Sequence, residues 1–83
     1  MFFVRKWDLE AAHKHCFRNK KELQESDICG CFYCEKTFVF SEINEWTDEG
    51  ETAFCPKCSI DSVIGSASTF PITAEFLNRM KAY

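Results

Sequence analysis

Glycine and proline are scarce in this 83-residue chain, three and two respectively, and no stretch is of low complexity. With 46% of residues hydrophobic, that scarcity excludes extended disorder and collagen-like repeats. No apolar run approaches the ~20 residues that cross a bilayer. The opening Met1-Phe2-Phe3-Val4-Arg5-Lys6-Trp7 lacks the long apolar stretch and small-residue cleavage site of a signal peptide. The expectation is a soluble, cytoplasmic protein with no membrane contact. Histidine is scarce too: His13 and His15 are the only two, both near the N-terminus. No Ser-His-Asp order, Gly-rich phosphate loop or nucleotide motif is present, so an enzyme is not expected.

Positive charge is missing from the middle of the chain. Residues 26–65 carry two Lys/Arg against eight Asp/Glu, whereas residues 1–25 carry six against four and residues 66–83 carry two against one. The formal net charge of −3 is therefore concentrated centrally, where it repels phosphates and opposes non-specific nucleic-acid binding. The plainer reading of the same residues is a solvated face that keeps a small protein soluble.

A chain of this length buries only about 60–65% of its unfolded surface, so it needs a staple beyond its hydrophobic core. Six cysteines supply one. In a reducing compartment, paired cysteines are better read as metal ligands than as disulfides.

The chain divides into four pieces. Residues 1–7 form an apolar N-terminal arm with two cations. Over residues 8–25, Leu9, Ala12, His13, Cys16, Phe17 and Leu23 recur at helical spacing, with Asp8 as N-cap and Ser26-Asp27 as the end. Residues 28–65 break into strand-like pieces, Thr37 to Phe40 and Glu51 to Phe54, expected to pair as a hairpin around an excursion from Ser41 to Gly50. Ser41 is expected to cap a helical turn carrying Ile43 and Trp46 inward. After Cys58, the spacing of Ile60, Val63 and Ile64 predicts a short helix with Gly65 as a left-handed cap. Ser66 to Thr69 reads as a loop of small residues. Thr73 then opens a C-terminal helix over 73–83, with Phe76, Leu77 and Met80 on one face and Arg79 and Lys81 near its end. The expected fold is a single small α+β domain: a zinc-ribbon or treble-clef-like hairpin flanked by N- and C-terminal helices.

Cys31-Phe32-Tyr33-Cys34 and Cys55-Pro56-Lys57-Cys58 are two C-x2-C pairs with twenty residues between Cys34 and Cys55, at the edge of the usual zinc spacing. Two residues between thiolates let both sulfurs of one turn reach a common ion at about 2.3 Å. Four soft ligands fit one tetrahedral Zn2+ in a closed, structural shell. The metal ligands are therefore expected to be Cys31, Cys34, Cys55 and Cys58, with amides of the helix after Cys58 offsetting the excess negative charge. Cys29 is an alternative ligand to Cys31, though its one-residue gap makes a poorer turn. Cys16 and Cys29 otherwise read as buried thiols, and His13, Cys16 and Cys29 as a conceivable second site. His15 lies off the His13 face and is expected to be exposed.

The run from Cys55 to Ile64 resembles the zinc-knuckle half of HNH nucleases, with Asp61-Ser62 where those enzymes carry an Asp-His step. The missing histidine removes the proton acceptor and leaves, at most, an inactive relative. Over residues 9–83 the chain is similar to a family of small bacterial cytoplasmic proteins. The likeness is carried by Cys31-Phe32-Tyr33-Cys34, Ile43-Asn44-Glu45-Trp46, Cys55-Pro56-Lys57-Cys58, Ile60 to Ser68 and Pro71-Ile72-Thr73. It implies a cytoplasmic location and bound zinc, and brings no activity. Ser59 stands where the family commonly has Gly, and relatives continue past Tyr83 with further aromatics. Met1 to Trp7 lies outside the likeness, an extension of the kind a phage or mobile-element version would carry.

The functional expectation is a zinc-stabilised protein-interaction module that regulates or inhibits a partner. Nine Phe, two Trp and two Tyr exceed what a small core must hold, which leaves aromatic surface near Phe2, Phe3, Trp7, Phe70 or Tyr83. An acidic face with aromatic anchors suits a basic partner. The alternative is a nucleic-acid binder that stacks bases on Phe32 and Tyr33 and meets phosphates with Lys14, Arg18, Lys20 and Lys21. An enzymatic reading would rest on Asp61 or His13.

Overall fold

The computed structural model describes residues 7–83, so of the expected N-terminal arm only Trp7 falls within it, and Phe2 and Phe3 lie outside the described residues. The centre is a three-stranded antiparallel sheet of β1 (Cys29–Cys31), β2 (Thr37–Phe38) and β5 (Val63–Gly65), with β1 in the middle. Cys29 pairs with Phe38 on one side and Gly65 on the other, and Cys31 pairs with Val63. A separate hairpin joins β3 (Trp46–Thr47) to β4 (Thr52–Ala53).

Alternation along β1 and β5 assigns side chains to two cores. Cys29, Cys31 and Val63 pack with Leu23, Phe38, Ile43, Ala53 and Cys55 on one face. Ile64 packs with Ala12, Phe32, Phe76, Leu77 and Met80 on the other. Gly30 lies on this second face, where a Cβ would stand 2.7 Å from Ile72 and 3.0 Å from Leu77. The close approach of the C-terminal segment therefore requires glycine there.

The C-terminal helix, α3, runs over Ala74–Ala82. The Thr73 hydroxyl accepts from the Phe76 amide at 3.2 Å, and Phe76, Leu77 and Met80 are buried. The N-terminal helix expected over 8–25 is instead broken in two. Helix α1 (Leu9–His13) begins where the Asp8 carboxylate accepts from the Ala11 amide. A 3-10 turn follows over Lys14–Cys16, Phe17 is extended, Arg18 has φ 49°, and α2 covers Lys20–Gln24. Tertiary hydrogen bonds take over where the helix stops. The Arg18 amide donates to Thr52 Oγ1 at 2.8 Å and the Lys20 amide to the Glu51 carbonyl at 3.1 Å. Buried Asn19 donates from Nδ2 to the carbonyls of His15 and Val63, both at 2.8 Å. The break sends Ala12 to one core and Leu23 to the other, and leaves Phe17, assigned by periodicity to the inner face, 58% exposed.

Further expectations change. Thr37–Phe38 pairs with β1 rather than with the Glu51 to Phe54 segment, because the tight turn after Cys31 brings the chain straight back. Trp46 sits in a strand, and the helical turn expected around Ile43 and Trp46 is displaced to Phe40–Glu42, where Glu42 Oε2 accepts from the Val39 amide at 3.0 Å. The helix expected after Cys58 is absent: β5 occupies Val63–Gly65, with Val63 and Ile64 buried on opposite sheet faces. This removes the element a treble clef would need and leaves the ribbon-like arrangement. Gly65 is not a left-handed cap, having φ −114°. It is required because a Cβ there would collide with the Ser26 hydroxyl, which accepts from the Ala67 amide at 2.9 Å.

Candidate metal centre

Each C-x2-C pair folds into the same turn. The Cys31 amide donates to the Lys36 carbonyl at 3.0 Å and the Cys55 amide to the Ile60 carbonyl at 2.8 Å. Within the turns, the Glu35 amide donates to the Cys31 carbonyl and the Ser59 amide to the Cys55 carbonyl, both at 2.8 Å. Glu35 and Ser59, each directly after the second cysteine of its pair, are left-handed with φ 63° and 67°. Sulfur also accepts from the turn amides: Tyr33 to Cys31 Sγ at 3.3 Å, Cys34 to Cys31 Sγ at 3.5 Å, and Lys57 to Cys55 Sγ at 3.3 Å. With an ion bound, these amides would offset charge on the thiolates, in place of the helix amides expected after Cys58.

The two turns meet sulfur to sulfur. The ligand atoms of Cys31, Cys34, Cys55 and Cys58 all lie within 4.8 Å of one another, with Cys31 to Cys58 at 3.6 Å and Cys34 to Cys55 at 3.7 Å. A tetrahedral ion with bonds of about 2.3 Å sets its sulfurs about 3.8 Å apart, so the cluster has the dimensions of a metal-binding tetrahedron. Burial pushes the Cys31 and Cys55 thiols up, and neighbouring thiols push them further. The more exposed Cys34 goes the other way: burial is the largest single effect and raises it, but hydrogen bonds from the Lys36 amide and the other three thiols together bring it down. Four thiols this close resist joint ionisation unless a cation joins them, and with one bound the shell is closed to water and substrate. The four cysteines could thus hold a metal ion in a structural role.

Cys29 is outside this cluster. It is fully buried two residues before Cys31 on the same sheet face, and burial pushes its thiol up to about 11. Among the described residues, the four-cysteine group is the one set that could hold a metal, so His13, Cys16 and Cys29 do not form a second site. Cys16 Sγ donates to the His13 carbonyl at 3.0 Å, and burial followed by the Asp61 carboxylate raises its pKa. The His13 ring packs against Phe32 at 4.8 Å and Tyr83 at 5.3 Å. His15, expected to be exposed, is half-buried with Nδ1 2.9 Å from Glu22 Oε1.

The residues between the first two cysteines divide. Phe32 is buried in the helix-side core, which withdraws it from base stacking, while Tyr33 is 54% exposed. Trp7 and Phe70, expected on the surface, are half-buried against Phe76 at 5.3 Å and 5.5 Å, while Tyr83 is exposed. Sequence reasoning missed Glu35, whose carboxylate lies 3.5 Å from Asn78 Nδ2 and 3.7 Å from Lys81 Nζ and so ties the first knuckle to α3. It also missed the left-handed position shared by Glu35 and Ser59. The signal was there: Ser59 stands where the resembled family commonly carries Gly, the residue that occupies left-handed backbone at least cost.

No family model, curated protein or solved structure matches the chain. The likeness to small bacterial proteins therefore rests on the motifs alone, of which the structure supports the four-cysteine cluster. No helix among the described residues is long and apolar enough to cross a membrane.

Proposed function

We propose that the chain is a protein-interaction module of the cytoplasm, stabilised by one structural Zn2+, that regulates a partner protein and has no catalytic activity of its own. The observation that carries this reading is the closed set of four sulfurs within 4.8 Å, which suits a soft divalent ion and offers no vacancy for chemistry. Zinc is favoured over redox-active metals because four thiolates in a tetrahedron match its preference and the fold asks only for a clamp. The exposed acidic residues of the central segment and the exposed Phe17, Tyr33 and Tyr83 support a recognition role. Bound zinc and a reducing compartment go together with cysteines that form no disulfide.

The test is affinity purification of the tagged full chain from its native host, beside a Cys34→Ser variant, with zinc measured in both. The reading expects a stoichiometric protein partner with the zinc-loaded chain and none with the variant. A zinc-loaded chain that sediments as a monomer and recovers no partner would contradict it.

A further inference from the structure

Beside the second knuckle lies a shallow groove lined by Asn44, Glu45, Trp46, Phe54 and Ser59. Its walls come from three places: the approach to β3, the residue after β4, and the left-handed position that follows Cys58. The Phe54 amide donates to the Glu45 carbonyl at 2.9 Å, which fixes the two walls relative to each other. The Trp46 indole is half-buried, stacked at a tilt on Phe40 at 5.8 Å. The chain already seats a cation on this ring, since Lys20 Nζ lies 5.6 Å from its centroid.

The surroundings are acidic. Between residues 37 and 78 the only Lys or Arg is Lys57, which Glu42 holds at 3.1 Å, and from outside that segment Lys20 reaches the groove at Trp46. Glu45, Glu49 and Glu51 are exposed and form no ion pair among the described residues. An aromatic face, a free carboxylate, a carboxamide and a hydroxyl in one groove match a planar cation with several donors. Guanidinium suits this set better than ammonium, because it stacks on rings and binds carboxylates through two parallel hydrogen bonds.

We propose that this groove docks an arginine-bearing segment of a partner protein, with the guanidinium against Trp46 and Phe54 and paired with Glu45. The proposal rests on the interaction reading above and supplies its site and the chemistry of the partner.

The experiment is an amide and indole NMR titration of the zinc-loaded full chain with a capped peptide of alternating leucine and arginine. Matched peptides carry lysine, glutamine or glutamate in place of arginine. The arginine peptide is expected to shift the Trp46 indole and the Ser59 amide in a saturable way and to bind roughly tenfold more tightly than the glutamine version. Glu45→Gln should weaken it by a similar factor, and Glu45→Lys should abolish it, while both variants keep zinc and the native spectrum. Shifts confined to other surfaces would overturn the groove but leave the interaction reading intact. Equal binding of the glutamine or glutamate peptides would overturn the arginine assignment. Concentration-dependent shifts of the same signals without peptide would assign the groove to a second copy of the chain and overturn it too.

Discussion

The two faces of the β1 and β5 strands carry cores of different chemistry. On the helix side, Phe32, Ile64, Phe76, Leu77 and Met80 are large and buried, with Trp7 and Phe70 packed around them. On the other side, Leu23, Phe38, Ile43 and Val63 share the core with the small Cys29, Cys31, Cys55 and Ala53, and half-buried Cys34 and Cys58 lie at its edge. The first face can be held by apolar burial, at about 1.5–3 kcal/mol for each large side chain. The second has such burial too, from Leu23, Phe38, Ile43 and Val63, but at its sulfur end two cysteine turns meet instead of large apolar side chains, and the only strands that support it are two or three residues long. A bound ion, at about 10–16 kcal/mol of apparent free energy in small zinc domains, is the term that would hold it. The faces are also coupled. Phe32 lies between Cys31 and Cys34 yet packs in the helix-side core, and Glu35 faces Asn78 and Lys81 of α3.

The largest test of this contrast is removal of the clamp. Cys55→Ser, or a strong chelator under reducing conditions, should remove the metal and unfold the metal-side strands, a loss on the order of the whole domain's stability. Amide exchange should then show protection lost first in β3 and β4, and in α3 only as far as the coupling through Phe32 carries it. Equal protection with and without metal would break the distinction.

Phe76→Ala attacks the other face. It should cost about 3–5 kcal/mol by denaturant titration, while metal content stays at the wild-type value. A variant that lost its metal together with its helix-side packing would show that the faces are not separable in the way described.

Cys29→Ala tests whether a buried thiol on the same strand as Cys31 stands apart from the four-cysteine cluster. The expected cost is about 1 kcal/mol from lost packing, with unchanged metal stoichiometry. Loss of metal would return Cys29 to the ligand set. Smallest is Ser59→Gly, which relieves a left-handed residue at φ 67°. It should stabilise by roughly 0.5–1 kcal/mol, read as a rise in melting temperature of the metal-bound chain. A fall would mean that the Ser59 side chain contributes more than its backbone strain costs.

The same contrast explains what could be read from the sequence. The four-cysteine cluster was legible because a C-x2-C turn is closed by contacts within six residues, from the Cys31 amide to the Lys36 carbonyl. Helix α3 was legible for a similar reason, with its cap, its apolar face and its terminal cations all inside one segment. The break between α1 and α2 was not, because Asn19 and Arg18 find their partners at Val63 and Thr52, far along the chain. Ile60, Val63 and Ile64 fit a helical spacing, but adjacent β-branched residues buried on opposite faces are equally a strand, and only pairing with β1 decides between them. Gly65 was visible as a glycine, while its cause, the hydroxyl of Ser26, could be seen only once the loops were brought together.

The central claim is most directly tested by elemental analysis of freshly purified, reduced protein, paired with its thermal melt before and after chelation. The account predicts one zinc per chain and a cooperative transition that disappears when the zinc is removed. A chain free of metal that melts with the same cooperativity and midpoint would contradict it.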